Sequence, residues 1–130
     1  KNIAPAPLEG ALITSVYVEQ VVAIGDKRNF ISALITPNFE ALEKYLKGKD
    51  ITDLSPSEMA EHPETKLLFK EEVDSRMESF AQYERIKKFT VVDRLFELGR
   101  DEITPSLKIK RNIVTANFID AIGAMYETKE

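Results

Sequence analysis

In residues 102–112, "EITPSLKIKRN", three cations fall within four positions: Lys108, Lys110 and Arg111. A proline and two hydroxyl residues, Thr104 and Ser106, stand ahead of them, and a helix-like pattern follows. A lysine ammonium is a long-reach point charge with three donors. Carried on a mobile loop between a proline turn and a helix start, Lys108 suits a meeting with an anion supplied from elsewhere. A second basic cluster, "ERIKK", occupies 84–88. Either cluster also fits a plain solvated face, and "KIKR" is a minimal nucleic-acid patch. The net charge of −4 and the lack of interleaved aromatic residues argue against nucleic-acid binding.

The other titratable residues assemble no complete site by spacing. Glu71, Glu72, Asp74 and Glu78 share one helix and read as its solvated face. The single histidine, His62, precedes Pro63 and reads as a helix-end residue rather than a metal ligand. The chain has no cysteine, which removes disulfides, thiol nucleophiles and thiolate metal sites. "IGDKRNF" has one glycine and no following helix, so it is no phosphate cradle. No apolar run reaches the length of a membrane span, and the N-terminus is not a signal peptide. A cytoplasmic setting follows as the default, with peripheral membrane association left open for a longer protein. The abrupt opening "KNIAPAP", without methionine, suggests an excised part of such a protein.

The elements that must position the cations follow from periodicity. Pro5 and Pro7 set a stiff, extended start, with Pro7 as a candidate first helical residue; Leu8 and Leu12 share a face of a short helix to about Thr14. "VYVEQVVAIG" (16–25) and "FISALI" (30–35) are β-branched runs joined by the polar turn "GDKRN", an antiparallel hairpin. The unbroken Val21–Ile24 run predicts a strand covered on both faces. Phe39, Leu42, Tyr45 and Leu46 mark an amphipathic helix over 38–47. Ser55, Pro56 and Glu58 form a capping-box signature for a short helix over 56–61. A longer helix over about 64–80 carries Phe69, Val73, Met77 and Phe80 on one face. A third strand is expected at Phe89–Val92, then a loop over 95–111. A last helix over about 112–126 carries Val114, Phe118, Ile122 and Met125. The order is α-β-β-α-α-α-β-α in 130 residues, one α+β domain. Its sheet is small, antiparallel or mixed, with about three strands and helices packed on it.

Taken in order, "KNIAPAPLE", "VVAIGDKRNFISALITP", "YERIKKFTVVD" and "DEITPSLKIKRNIV" resemble the small, mobile C-terminal domain of AMP-forming long-chain acyl-CoA synthetases, of the adenylate-forming superfamily. The resemblance spans essentially the whole chain. It implies a large N-terminal adenylation domain as partner, with fatty acid, ATP and coenzyme A as substrates and Mg2+ bound mainly by that partner domain. It implies two steps, acyl-adenylate formation and then thioester formation, with this domain rotating between them. The superfamily motif glycine-lysine-hydrophobic-x-arginine places Lys108 as the catalytic lysine, Ile109 as the hydrophobic residue and Arg111 as the arginine. Leu107 stands at the glycine. Lys110, Arg111 and Thr104 are candidate supporting residues. "KNIAP" resembles the loop that lines the coenzyme A tunnel in the second step, at Lys1, Asn2 and Ile3. By itself the 130-residue chain is expected to be inactive and to hold no cofactor. The alternative reading is a non-enzymatic module that docks an acidic protein or a lipid surface through its basic clusters.

Overall fold

The computed structural model describes residues 4–127 of the chain. The elements in order are α1 (Pro5–Leu12), β1 (Val18–Ile24), β2 (Ile31–Pro37), α2 (Phe39–Lys47), α3 (Pro56–Glu61), α4 (Pro63–Arg76), β3 (Ile86–Val91), α5 (Arg111–Asn117) and α6 (Ile119–Glu127). The three strands form one mixed sheet with β2 in the centre. β1 and β2 pair antiparallel, with Val22 opposite Leu34, and β3 runs parallel to β2. A parallel neighbour needs a long crossover, and α2, α3 and α4 supply it.

Every residue of β2 is buried, because helices cover both faces of the sheet. Val21, Ala23, Ala33 and Ile35 face a core shared with Leu8, Leu12, Leu42, Leu46, Phe69 and Val73 of the helices α1, α2 and α4. Val22 and Leu34 face the opposite way, toward Val92, Phe96, Ile103, Val114 and Ile122. The expected double coverage of the Val21–Ile24 run is therefore observed. Fully burying side chains of this size stabilises by roughly 1.5–3 kcal/mol each.

Local signals explain the element ends. Ser55 Oγ accepts the Glu58 N–H at 3.1 Å, and Glu58 Oε1 accepts the Ser55 N–H at 2.9 Å, so the capping box is complete. His62 Nδ1 accepts the Glu64 N–H at 3.0 Å, which makes the histidine the N-cap of α4.

The main departures from the expected elements are these. Helix α1 starts at Pro5 rather than Pro7, since N–H groups in a first turn have no intrahelical acceptor to lose. Helix α4 stops at Arg76, short of Phe80: Arg85 takes the Phe80 carbonyl at 2.8 Å and the Glu78 carbonyl at 3.2 Å, turning the chain toward β3. Strand β3 begins at Ile86, because Lys87 and Lys88 sit in an edge strand, where lysines are common and mask the strand pattern. The last helix is broken at Phe118 into α5 and α6. There Phe118 packs edge-on against Phe96 at 5.7 Å between centroids, while the Asn117 side chain is drawn to Glu102.

Candidate functional site

The basic cluster lies on a short hairpin between β3 and α5. Ile103 and Ile109 form an antiparallel bridge. Two backbone bonds of 2.8 Å flank it, one from Lys110 N–H to the Glu102 carbonyl and one from Thr104 N–H to the Lys108 carbonyl. The tip is the three-residue loop Pro105-Ser106-Leu107, closed by the Leu107 N–H on the Thr104 carbonyl at 2.8 Å. Proline suits the second position of such a turn because its φ is preset. The Thr104 hydroxyl accepts the Lys108 N–H at 3.0 Å and lies 3.1 Å from Ser106 Oγ. Thr104 thus shapes the tip.

Leu107 has φ 70°, in the left-handed region. A three-residue hairpin loop commonly ends in such a residue, and glycine is favoured there because it has no Cβ to clash. The backbone at Leu107 therefore takes the conformation that a glycine would take, at some conformational cost. The side chain does nothing visible to offset that cost, being 74% exposed.

The three cations of the cluster separate by their partners. Lys110 Nζ pairs with Asp101 Oδ1 at 2.5 Å. Arg111 forks onto Glu9, with contacts of 2.5 and 3.0 Å, and also reaches the Ala23 carbonyl. Glu9 in turn accepts the Ala23 N–H at 2.8 Å. Glu9 beside it raises the Arg111 pKa above the ordinary guanidinium value, against the opposing effect of burial. Arg111 consequently ties α5 to α1 and β1. Lys108 is exposed at the hairpin, and its ammonium has no hydrogen-bond or ion-pair partner among the described residues. Lys1, Asn2 and Ile3 lie outside the described residues.

At the hairpin's base sits a residue that sequence reasoning passed over. Glu102 is fully buried, with 0% of its surface exposed. Its carboxylate accepts Arg94 Nη1 at 2.8 Å and Nη2 at 2.9 Å, the Glu97 N–H at 2.9 Å and Asn117 Nδ2 at 2.9 Å. The Arg94 guanidinium, then Asn117 and the Glu97 amide, outweigh desolvation and hold the Glu102 carboxyl at a pKa of about 2. The charge pattern of 93–102 contains alternating acids and bases, but spacing alone marks none of them as buried.

A cleft of about 430 Å3 opens beyond Arg111, lined by Pro5, Gly25, Arg28 and Thr115, and Lys108 does not line it. Among the described residues no three His, Cys, Asp or Glu side chains converge to hold a metal ion. No helix among the described residues is long and apolar enough to cross a membrane.

A small mixed sheet covered by helices, with a basic hairpin ahead of the last helix, belongs to a known class. The chain is a member of the AMP-binding enzyme C-terminal domain family, whose model matches residues 1–130. It is 33% identical over 127 residues to the long-chain-fatty-acid–CoA ligase FadD15 of Mycobacterium tuberculosis, covering 97% of this chain and 21% of that protein. It is 30% identical over 130 residues to the putative fatty-acid–CoA ligase fadD11 of the same species, covering 99% of this chain and 23% of that one. The chain thus spans about a fifth of the length of the curated relatives it matches. Among solved structures, the adenylation domain of a carboxylic acid reductase from Segniliparus rugosus, in complex with AMP and a co-purified carboxylic acid, superimposes with a TM-score of 0.75. The identity is 23%, over 96% of this chain and 18% of that one. At that identity the likeness concerns the fold.

Proposed function

We propose that the chain is the mobile C-terminal part of an AMP-forming long-chain-fatty-acid–CoA ligase, and that it delivers Lys108 for adenylation. The observation that carries this reading is the partition of the cations: Lys110 and Arg111 are engaged within the domain, and Lys108 is presented to solvent. In the first step a fatty carboxylate oxygen attacks the α-phosphorus of ATP, and pyrophosphate leaves. Negative charge gathers on the phosphoryl oxygens, where a fixed ammonium in a water-poor cleft lowers the barrier. In the second step the coenzyme A thiol attacks the acyl carbon and AMP leaves. By resemblance, Lys1, Asn2 and Ile3 line the thiol's path in that step. The fatty-acid and nucleotide pockets belong to the preceding domain. The fatty-acid–CoA ligases among the relatives support the substrate class. The docking alternative draws less support, since Arg85 and Lys87 spend their side chains on carbonyls of their own chain.

The test separates the half-reactions in the full-length protein. Lys108→Ala should slow ATP–pyrophosphate exchange on the order of 10²–10³-fold. It should leave thioester formation from preformed acyl-adenylate near normal. Lys110→Ala should have a small effect on exchange, because that lysine is held by Asp101. Equal losses in both half-reactions for Lys108→Ala would remove the assignment, and a larger exchange defect for Lys110→Ala would move it by two residues.

A further inference from the structure

We infer that Glu102 is a positioning residue for Lys108: clamped by Arg94, Asn117 and the Glu97 backbone, it sets the direction in which the hairpin presents the lysine. This rests on the reading of Lys108 given above. Three features of the site carry it.

The first is the place of Glu102 in the chain. Its side chain is fixed to the segment after β3 through Arg94 and Glu97, and to the end of α5 through Asn117. Its own carbonyl accepts the Lys110 N–H, and its N–H donates to the Glu97 carbonyl at 3.0 Å. One residue therefore joins both arms of the hairpin to the body of the domain.

The second is how little else does so. Of the hairpin residues from 103 to 109, Ile103 is buried, Thr104 and Ile109 are half-buried, and Pro105, Ser106, Leu107 and Lys108 are exposed. Apolar anchoring is confined to the base, where Ile103 joins the core and Ile109 packs against it, and directional bonds set the tilt beyond it. A bidentate guanidinium–carboxylate fork fixes an angle, whereas an apolar contact of equal size does not. Arg94 is fixed in turn: its guanidinium lies 4.9 Å over the Phe118 ring, and its carbonyl accepts the Thr36 hydroxyl from the central strand at 3.2 Å.

The third is leverage. Two residues of extended chain separate Glu102 from Thr104, the partner of Lys108, a span of about 7 Å. A tilt of about 10° at the base moves the Lys108 backbone by about 1 Å and its ammonium farther. A displacement of about 1 Å can cost on the order of 10²-fold in rate. Breaking a buried charged pair is costly, but apolar residues of similar volume would often stabilise the fold as well, so stability alone does not call for the fork. What the fork adds beyond an apolar replacement is the orientation of the lysine.

The experiment uses the full-length protein with Glu102→Gln, Lys108→Ala and the double variant, each assayed in both half-reactions. Glu102→Gln keeps the shape and removes the charge that draws the fork together. It should slow ATP–pyrophosphate exchange about 10–100-fold and change thioester formation from preformed acyl-adenylate by less than about twofold. The deciding readout is the double variant: Glu102→Gln should add nothing to the exchange defect of Lys108→Ala, because its effect runs through that lysine. Independent, multiplying defects, or equal losses in both half-reactions, would show general structural damage and overturn the inference. If Glu102→Gln does not fold, Asn117→Ala removes one of the four donors. It should give a smaller loss, about 3–10-fold, with the same dependence on Lys108; no loss overturns the inference. An exchange defect for Lys108→Ala with none for Glu102→Gln overturns this inference alone. Normal exchange in Lys108→Ala overturns both readings.

Discussion

The buried carboxylate makes a prediction about pH that the 130-residue chain can test directly. Glu102 has its pKa lowered from 4.5 to about 2 in the folded state, chiefly by the Arg94 fork. A depressed carboxyl contributes stability that is fully present above the unfolded value and is lost as pH falls toward the folded value. The window is therefore pH 4.5 down to about 2. At about 1.4 kcal/mol per unit, the full contribution at pH 7 is roughly 3 kcal/mol. Linkage places about 2 kcal/mol of that loss between pH 7 and pH 3. Other carboxylates also titrate in this range, so the comparison is with Glu102→Gln, which shares all of them. Urea denaturation at each pH is the assay. The variant should be less stable by about 3 kcal/mol at pH 7 and by only about 1 kcal/mol at pH 3. A gap that stays constant across this range would show that the charge of Glu102 does not stabilise the fold, and that its burial reflects shape alone.

Two other outcomes follow from the hairpin. Leu107→Gly should stabilise the domain by about 0.5 kcal/mol, since relief of the left-handed leucine exceeds the extra freedom of glycine in the unfolded chain; the urea midpoint measures it, and a lower midpoint would contradict the strain reading. Amide exchange should divide the segment 100–110 unevenly: the bonded amides of Glu102 and Lys110 should exchange slowly, and that of Ser106, at the exposed tip, quickly. Uniformly fast exchange across 102–110 would mean that the clamp does not hold in the free domain.

The sequence by itself determined the parts of this protein that depend on near neighbours. β-Branched runs joined by a polar turn marked the β1–β2 hairpin, and the unbroken Val21–Ile24 run marked a strand covered on both faces. Helical spacing found the buried faces of α2 and α4, and Ser55 with Glu58 located a helix start to the residue. These signals are local because a strand or helix repeats its environment every few residues. The resemblance of "ITPSLKIKR" pointed to Lys108 in the same way, as a motif in one continuous stretch. What only the tertiary structure decided is which charges are engaged. Arg111 finds Glu9 at the other end of the chain, and Lys110 finds Asp101 across the hairpin base. Glu102 finds Arg94 and Asn117 from opposite sides along the chain. Spacing tells which face of an element a residue occupies, but an ion pair depends on what the fold brings against that face. That is why three neighbouring cations, equivalent on paper, come apart into a brace, a hairpin contact and one exposed ammonium.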